Sequence, residues 1–495
     1  MNKTRIMLLV LILSLLAAII ALFAGCGSKE AALTDDDMSQ PVELVWYCMG
    51  PPPVDLPLVM EKVNEYTKQK LNCTVKLNMI DYGDYGTKMK MIALSNENYD
   101  LAFTCNWTFD YNRNASSGTF LQLDGIIEKC APKLLESCPA DFWKGTKVQG
   151  KTYGVPYNTT TASVMAYYID KEMLQGVIDP DALGKYKTFA EILPVLEKVK
   201  SAHPGVTMYK PFAWFDFNDT FDFIKGNLFP GAVRLDDKSC KVFNQWEDPA
   251  VAVALDVNRA AFQKGLTYQE ERTQTDAMSD FRNKKLFCYI ANYAPYADIA
   301  ATRDYKFPVM CLPVAERPVT NTDSCTGALY AVSVNSKHPA RALKFLELLN
   351  SDKYLRNLIG FGIEGIHYNK LSDNVIEKTE RAKDFVMPNW YLGNLFLLYL
   401  EKGDPADKWQ KYADFNKTAT MSPLLGFSFD PQPVSAEVSA ISNTVDEYAI
   451  YLAYGQSDPK KMLPEFQKKM KNSGVDKVIA EMQKQIDAWR KASGS

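Results

Sequence analysis

An α/β fold built from more than one domain is what this sequence predicts, and three observations predict it. Strand-like apolar runs alternate with helical patterns along most of the chain, the signature of βα units and a mostly parallel sheet. The chain, at 495 residues, is too long for one compact core. Its composition, 47% apolar and 23% charged, is that of an ordinary folded protein.

The elements follow in order. VELVWYCM from Val42 reads as a buried first strand. Behind Pro51-Pro52-Pro53, Leu56, Val59, Met60, Val63 and Tyr66 keep the spacing of one helix face. In TVKLNMI, Val75, Leu77 and Met79 alternate as in a strand. YGDYGTKMKMIAL reads as a turn and helix, and YDLAFT as another apolar strand. The alternation resumes after Tyr153-Gly154-Val155-Pro156 with VMAYYI, helices over 188–201 and 248–264, and the strands LFCYIAN and ALYAVSV. A helix follows Pro339, which suits a first turn because its missing N–H costs little there. That helix keeps Ala342, Phe345, Leu346 and Leu349 on one side. The final helix carries a stripe of Val475, Ile479, Met482, Ile486 and Trp489, read as a face docked on the protein's own core.

At the other end, Lys3 and Arg5 precede an apolar run from Met7 to Phe23, broken only by Ser14 and closed by Phe23-Ala24-Gly25-Cys26. This order resembles a bacterial lipoprotein signal peptide ending in a lipobox, with Phe23 where Leu is usual. The resemblance implies that residues 1–25 are removed, that Cys26 is lipidated, and that the body is tethered to the membrane outside the cytoplasm. An uncleaved anchor is the rival, although the run falls a little short of the about 20 residues that span a bilayer. Residues 26–40, polar and acidic at Thr34-Asp35-Asp36-Asp37, read as a flexible tether.

Without residues 1–25, 470 residues remain, room for two or three domains. Net charge on the whole chain is −3; losing Lys3 and Arg5 leaves 54 basic against 59 acidic residues, or −5. A nucleic-acid partner would want a clustered basic surface, so that class is excluded. Nine cysteines besides Cys26 make an odd count, and no CxxC occurs, hence neither a zinc ribbon nor a thioredoxin motif. Cys130 and Cys138 are close enough for a local bridge, but small buried thiols are the preferred reading.

Several segments together resemble the extracellular solute-binding proteins of ABC importers, in the family that includes sugar binders. SVMAYYIDKEML followed by YKTFAEILPVLEKVK resembles that family's first crossing, and GALYAVSVNSKHPARALKFLELLNSD its strand-then-helix return. IGFGIEGIHY, SPLLGFSFDPQPVSAE and the final EMQKQIDAW look like the LipO-like lipoprotein branch. The resemblance implies a two-lobed, periplasmic-binding-protein-like fold of type II with crossing hinge strands. Lobe 1 is expected over 41–158 and 328–428, lobe 2 over 159–327 and 429–495. The crossings fall near Tyr157–Ala166, Cys325–Ala331 and Gly426–Val434, the last lined by Phe427, Phe429, Pro431 and Pro433. Such proteins close by hinge motion, driven by a ligand's differential affinity for the closed state.

Motifs for other chemistry fail on their surroundings. Gly360-Phe361-Gly362-Ile363-Glu364-Gly365 spells GxGxxG, but a helical LRNLI precedes it and no helix period follows, so no dinucleotide is expected. A loop carrying Glu364, His367 and Tyr368 toward the cleft is the better reading. Asp179-Pro180-Asp181 brushes against a calcium loop, but Leu183 and Ala190 stand where oxygen ligands belong. His203, His338 and His367 are too scattered for a metal cluster, and HExxH and GxSxG are absent. No cofactor, metal or catalytic residue is expected.

Aromatic and amide residues concentrate in the loops: Asn106-Trp107, Tyr157-Asn158, AWFDFND around Trp214, Asn292-Tyr293 with Tyr296, and Asn389-Trp390-Tyr391. Sugar faces carry C–H groups that sit on rings, while their hydroxyls need amides and carboxylates, and ligand pockets combine such walls with a few placed polar groups. Residues after strand ends gain weight, because open α/β sheets bind ligands there. Tyr82, Trp107, Tyr157, Trp214, Tyr293 and Glu364 are the candidate ligand contacts. The function expected is that of a lipid-anchored monomer that captures an oligosaccharide and delivers it to an ABC permease, without catalysis. A peptide ligand is the alternative within the fold. A secreted carbohydrate-active enzyme is the alternative outside it, and would need two opposed carboxylates about 5–10 Å apart.

Overall fold

The computed structural model describes residues 36–95, 97–186, 188–211, 217, 219–269, 277–315 and 317–493. The leader, Cys26 and Trp214 lie outside them. The chain divides into two units, breaking after Thr159, Cys325 and Tyr399.

The first unit holds a five-stranded sheet in the order β2-β1-β3-β12-β4. Its strands are β1 (Val42–Met49), β2 (Cys73–Ile80), β3 (Leu101–Thr104), β4 (Gly154–Pro156) and β12 (Leu329–Val332). β1 runs parallel to β2, from Val42 opposite Cys73 to Met49 opposite Ile80, and parallel to β3. β12 returns antiparallel to both β3 and β4. The longer helices here are α1 (Leu56–Leu71), α2 (Tyr85–Leu94), α5 (Pro339–Ser351) and α6 (Lys353–Phe361). Ala342, Leu343, Phe345, Leu346 and Leu349 of α5 are fully buried, as the 3,4 spacing requires. They meet Trp46 of β1, whose ring lies 5.4 Å from Phe345 and 5.5 Å from Tyr330. Burying such a ring contributes roughly 2–3 kcal/mol. A hairpin of β13 (Tyr368–Lys370) and β14 (Val375–Lys378) follows α6.

The expected tether is shorter than the sequence suggests. Arg341 of α5 is fully buried and grips Asp36 through Nε at 3.0 Å and Nη2 at 2.8 Å. It also donates to the carbonyls of Asp37, Leu71 and Asn72. Burial pushes the Asp36 carboxyl up, but the hydrogen bonds and charges of Arg341 and Lys344 outweigh it and hold it below its ordinary value. Residues 36–40 are therefore part of the folded unit, because their acids neutralise a cation that the core has enclosed.

The second unit holds a four-stranded sheet in the order β10-β5-β9-β6. Its strands are β5 (Met165–Asp170), β6 (Thr207–Tyr209), β9 (Leu286–Asn292) and β10 (Val309–Pro313). β5 is antiparallel to both β9 and β10; only β6 runs parallel to β9. The mostly parallel sheet expected from the alternation does not hold here. Hydrophobic patterning reports that a strand is covered, not which way its neighbour runs, and β5 is inserted between two strands that a helix connects. α3 (Phe189–Ala202) begins with a capping box, Thr188 and Glu191 bonding each other's backbone N–H. α4 (Pro249–Gln263) begins with Asp248 accepting from the Ala250 N–H.

A second body of core in this unit gathers the antiparallel pair β7 (Phe221–Phe223) and β8 (Ala232–Arg234) with α4 and three C-terminal helices. These are α8 (Ser435–Ala453), α9 (Pro459–Asn472) and α10 (Val475–Ser493). Val475, Met482 and Ile486 of α10 are fully buried in it, with Ile479 and Trp489 partly so, the stripe the sequence predicts.

Residues 400–428, expected in lobe 1, belong to the second unit. They include β15 (Leu400–Glu401), α7 (Lys408–Lys417) and β16 (Thr420–Met421). β16 pairs with β11 (Val319–Thr320), and Phe427, expected at a crossing, lies in the core 5.7 Å from Trp489. The third break therefore falls at Tyr399. A ladder two residues long between segments a hundred residues apart leaves no periodicity to read. The cysteines from Cys48 to Cys325 are thiols and not disulfides, so Cys130 and Cys138 form no bridge.

Candidate functional site

In the first unit the parallel strands β1, β2 and β3 end on the same side of their sheet, and the loops after them carry aromatic residues. β3 leads through Cys105 to Trp107, which is 56% exposed. Its indole N–H donates to the Gly327 carbonyl at 3.0 Å, and the Asn106 N–H to Thr326 at 3.0 Å, fixing the loop to the strand beside it. The Trp390 ring lies 6.2 Å from Trp107 at an interplanar angle of 33°, and is itself 42% exposed. Phe103 supports both, 6.2 Å from Trp107 and 6.0 Å from Trp390. Trp390 occupies a three-residue turn, Asn389–Tyr391. Next to it, the buried Tyr391 hydroxyl donates to the carbonyl of Met49, the last residue of β1.

Tyr82, 48% exposed, follows β2 and reaches over Gly50, where an added Cβ would lie 3.4 Å from the tyrosine oxygen. Gly50 has φ +130, which a glycine adopts freely. Burial raises the Tyr82 phenol, and the Asp81 charge adds to this. Tyr82 in turn helps raise Tyr391, after burial and Cys48. Tyr82, Trp107 and Trp390 thus gather around the carboxyl ends of β1–β3. Two flat apolar faces with polar rims form a surface suited to a ring bearing C–H groups on its face and hydroxyls at its edge.

Two other expected residues of this unit, Tyr157 and Glu364, are engaged elsewhere. Tyr157 is only 6% exposed, and burial, with the Cys138 and Cys105 thiols adding to it, pushes its phenol far above the usual range. Glu364 is exposed and paired with Lys370 at 2.9 Å, on the turn that leads into β13. Its neighbours do not face solvent as expected. Tyr368 is buried, and His367 is fully enclosed, its Nδ1 accepting from the Ile363 N–H at 2.9 Å and its Nε2 bonded to Asp55 at 3.1 Å. Both ring nitrogens are used, so His367 is an internal strut. Gly360 sits in the last turn of α6, which removes the strand that a dinucleotide loop needs. Trp214 lies outside the described residues.

The second unit carries an aromatic group of its own. Tyr293 follows β9, half-buried, with its N–H donating to the Val164 carbonyl and its ring 5.9 Å from Phe415 of α7 at 70°. Burial pushes its phenol up, with Asp298 adding to it. Tyr412 and Trp409 continue the same helix, 5.3 Å apart, and Tyr296 donates to Asp407 at 2.9 Å. Asn292 is exposed beside them, accepting from Ser163. The start of α7 is held by Asp404, which binds Lys408 at 2.7 Å and Arg303 at 2.8 Å.

Sequence reasoning noted Trp390 among the loop aromatics without choosing it as a contact, and passed over Trp409 and Phe415. None follows directly on a strand end, and only the folded return of their segments brings Trp390 beside Trp107 and Phe415 beside Tyr293. Among the described residues, no group of three or more His, Cys, Asp or Glu side chains could hold a metal ion. Among the same residues, no helix is long and apolar enough to cross a membrane.

The carbohydrate ABC transporter substrate-binding protein of Streptococcus pneumoniae serotype 4 is 29% identical over 494 residues, covering 96% of this chain and 97% of that protein. The crystal structure of the N-glycan transport solute binding protein NgtS from Streptococcus pneumoniae matches with a TM-score of 0.83 at 28% identity, over 91% of this chain and 99% of that one. The same protein in complex with Man5GlcNAc matches with a TM-score of 0.77 at 28% identity, over 92% and 99%. Residues 423–491 match a domain of unknown function, DUF3502. Residues 61–363 match the family described as bacterial extracellular solute-binding protein, more than half of the chain. With a two-unit α/β body of the type II solute-binding fold, this chain belongs to the bacterial extracellular solute-binding protein family.

Proposed function

We propose that this protein captures an oligosaccharide outside the cytoplasm by lobe closure and delivers it, unaltered, to an ABC importer. The observation that carries the sugar assignment is the Trp107–Trp390 pair at the carboxyl ends of the first unit's parallel strands. Two offset indoles can hold successive pyranose faces, and each stacked ring contributes about 0.5–1.5 kcal/mol beyond area burial. The relatives named for carbohydrate and N-glycan transport support the same ligand class. Tyr82, Trp107, Tyr293 and Trp390 are the contacts favoured by exposure. Tyr157 and Glu364 would take part only through a rearrangement of the packing and pairing just described. Lipidation at Cys26 completes the reading and keeps the protein near its permease.

The test is calorimetric titration of a form beginning after Cys26 with mannose- and N-acetylglucosamine-containing oligosaccharides, with chromatography of the sugar after hours of incubation. Saturable binding with intact sugar supports the proposal. Cleavage of the sugar would make the protein an enzyme, and binding of peptides in preference to sugars would replace the ligand class. Metabolic labelling with a fatty acid, lost in C26A, tests the anchor.

A further inference from the structure

Arg356 of α6 is fully buried, yet among the described residues no carboxylate bonds its guanidinium. Burial lowers it to about 9, against the small opposing effect of the Tyr330 and Tyr157 phenols. Enclosing an unpaired cation costs several kcal/mol, and an apolar side chain of similar volume would fill the space at less expense. The donors, however, all reach one segment. Nη1 donates to Oδ1 of Asn389 at 2.9 Å, Nη2 to the Asn389 carbonyl at 3.0 Å, and Nε to the Asn394 carbonyl at 3.2 Å. Asn389 answers by donating from Nδ2 to the Gly360 carbonyl of α6 at 2.9 Å. The fit leaves no room at Gly360, where an added Cβ would lie 2.6 Å from Asn389 Oδ1 and 2.7 Å from Arg356 Nη1.

The segment held this way is the one that presents Trp390. Asn389 precedes that residue and is fixed to α6, while Tyr391 follows it and is fixed to β1. We infer that Arg356 is a positioning residue for ligand capture: its guanidinium and the Asn389 amide lock the 389–394 turn so that the Trp390 indole stands in register with Trp107. Functional side chains need supporting neighbours whose own geometry is locked, and five fixed donors do this better than a flexible ammonium. The link to capture rests on the carbohydrate reading above, but the locking itself does not.

The experiment reads the two separately. Paired indoles at this distance give an exciton couplet in circular dichroism, which W107F and W390F each abolish, defining the signal. R356M and G360A are then compared with the unaltered protein by this couplet, by melting temperature and by titration with Man5GlcNAc. G360A keeps the charge and favours the helix, so it unseats the clamp without removing the cation, and it decides the matter should R356M fail to fold. The expected result is a lost or strongly reduced couplet in the folded variants, with sugar affinity about two- to tenfold weaker, the scale of one lost stacking contact. An unchanged couplet in folded G360A would overturn the inference. A couplet lost in the variants while the unaltered protein binds no sugar would leave the clamp standing and refute the carbohydrate reading instead.

Discussion

Replacing Asp222 by Asn should flatten the pH dependence of the second unit's stability. Asp222 lies on β7, buried, accepting from Ser422 Oγ and from Asn321 Nδ2 at 3.2 Å. Burial raises it from an ordinary 3.8 to about 7; the Asp323 charge adds to the rise, and the bonds from Ser422 and Asn321 oppose it. Below about pH 4 the group is protonated in both folded and unfolded states, and it costs nothing. Between about 4 and 7 the unfolded chain releases the proton and the folded one keeps it, so stability falls as pH rises through that window. At about 1.4 kcal/mol per pH unit, the loss at pH 8 reaches up to about 4 kcal/mol. In D222N the amide oxygen still accepts from Asn321, while its NH₂ can donate to the Ser422 hydroxyl, and no charge is enclosed. Thermal denaturation from pH 4.5 to 8 should show the variant close to the unaltered protein at the acid end and roughly 5–10 °C more stable at the alkaline end. Two parallel profiles would refute the reasoning, because the Asp222 carboxyl would then not carry the shift.

Three further outcomes follow from particular contacts. W107A and W390A should each weaken oligosaccharide binding about tenfold in calorimetry, with the melting temperature nearly unchanged because both rings are about half exposed. R341M should lower stability by about 3–5 kcal/mol in denaturant unfolding, since the carbonyls of Asp37, Leu71 and Asn72 lose their donor and Asp36 keeps only Lys344; D36N should also destabilise, because it leaves the enclosed guanidinium without its carboxylate partner. In a form beginning after Cys26, a thiol reagent should react slowly with the native protein and with all nine cysteines after denaturation. Cys311, the half-buried one, should react first, and burial pushes even its thiol up.

Much of the fold was legible because local patterning is decided by which face of an element is covered. The 3,4 stripe from Val475 to Trp489 and the α5 face from Ala342 to Leu349 each mark one buried side, TVKLNMI puts Val75 in the core with Leu77 and Met79 partly covered, and each element forms where the pattern lies. Strand direction was not legible: β5 is covered as fully as any parallel strand, and nothing in MAYYID says that both neighbours run against it. The same limit hid the role of the acids at 36–37. An acidic stretch near a terminus is usually solvated, and only the position of Arg341, three hundred residues away, turns Asp36 into a counter-ion for the core.

For the site, the residues after strand ends carried the information that sequence can hold. Tyr82 and Trp107 follow β2 and β3, where a parallel sheet presents its ligands. Tyr157 has the same local context and is nevertheless enclosed, since burial depends on what packs over a residue and not on what precedes it. By itself, then, the sequence determined the α/β class, most of the elements, the leader pattern and the kinship with solute-binding proteins, all carried by short-range order. The tertiary structure alone decided that Trp390 joins Trp107, that Arg356 stays unpaired to hold that turn, and that His367 serves as an internal strut. Those arrangements depend on contacts between segments tens to hundreds of residues apart, and such contacts leave no periodic trace in either segment.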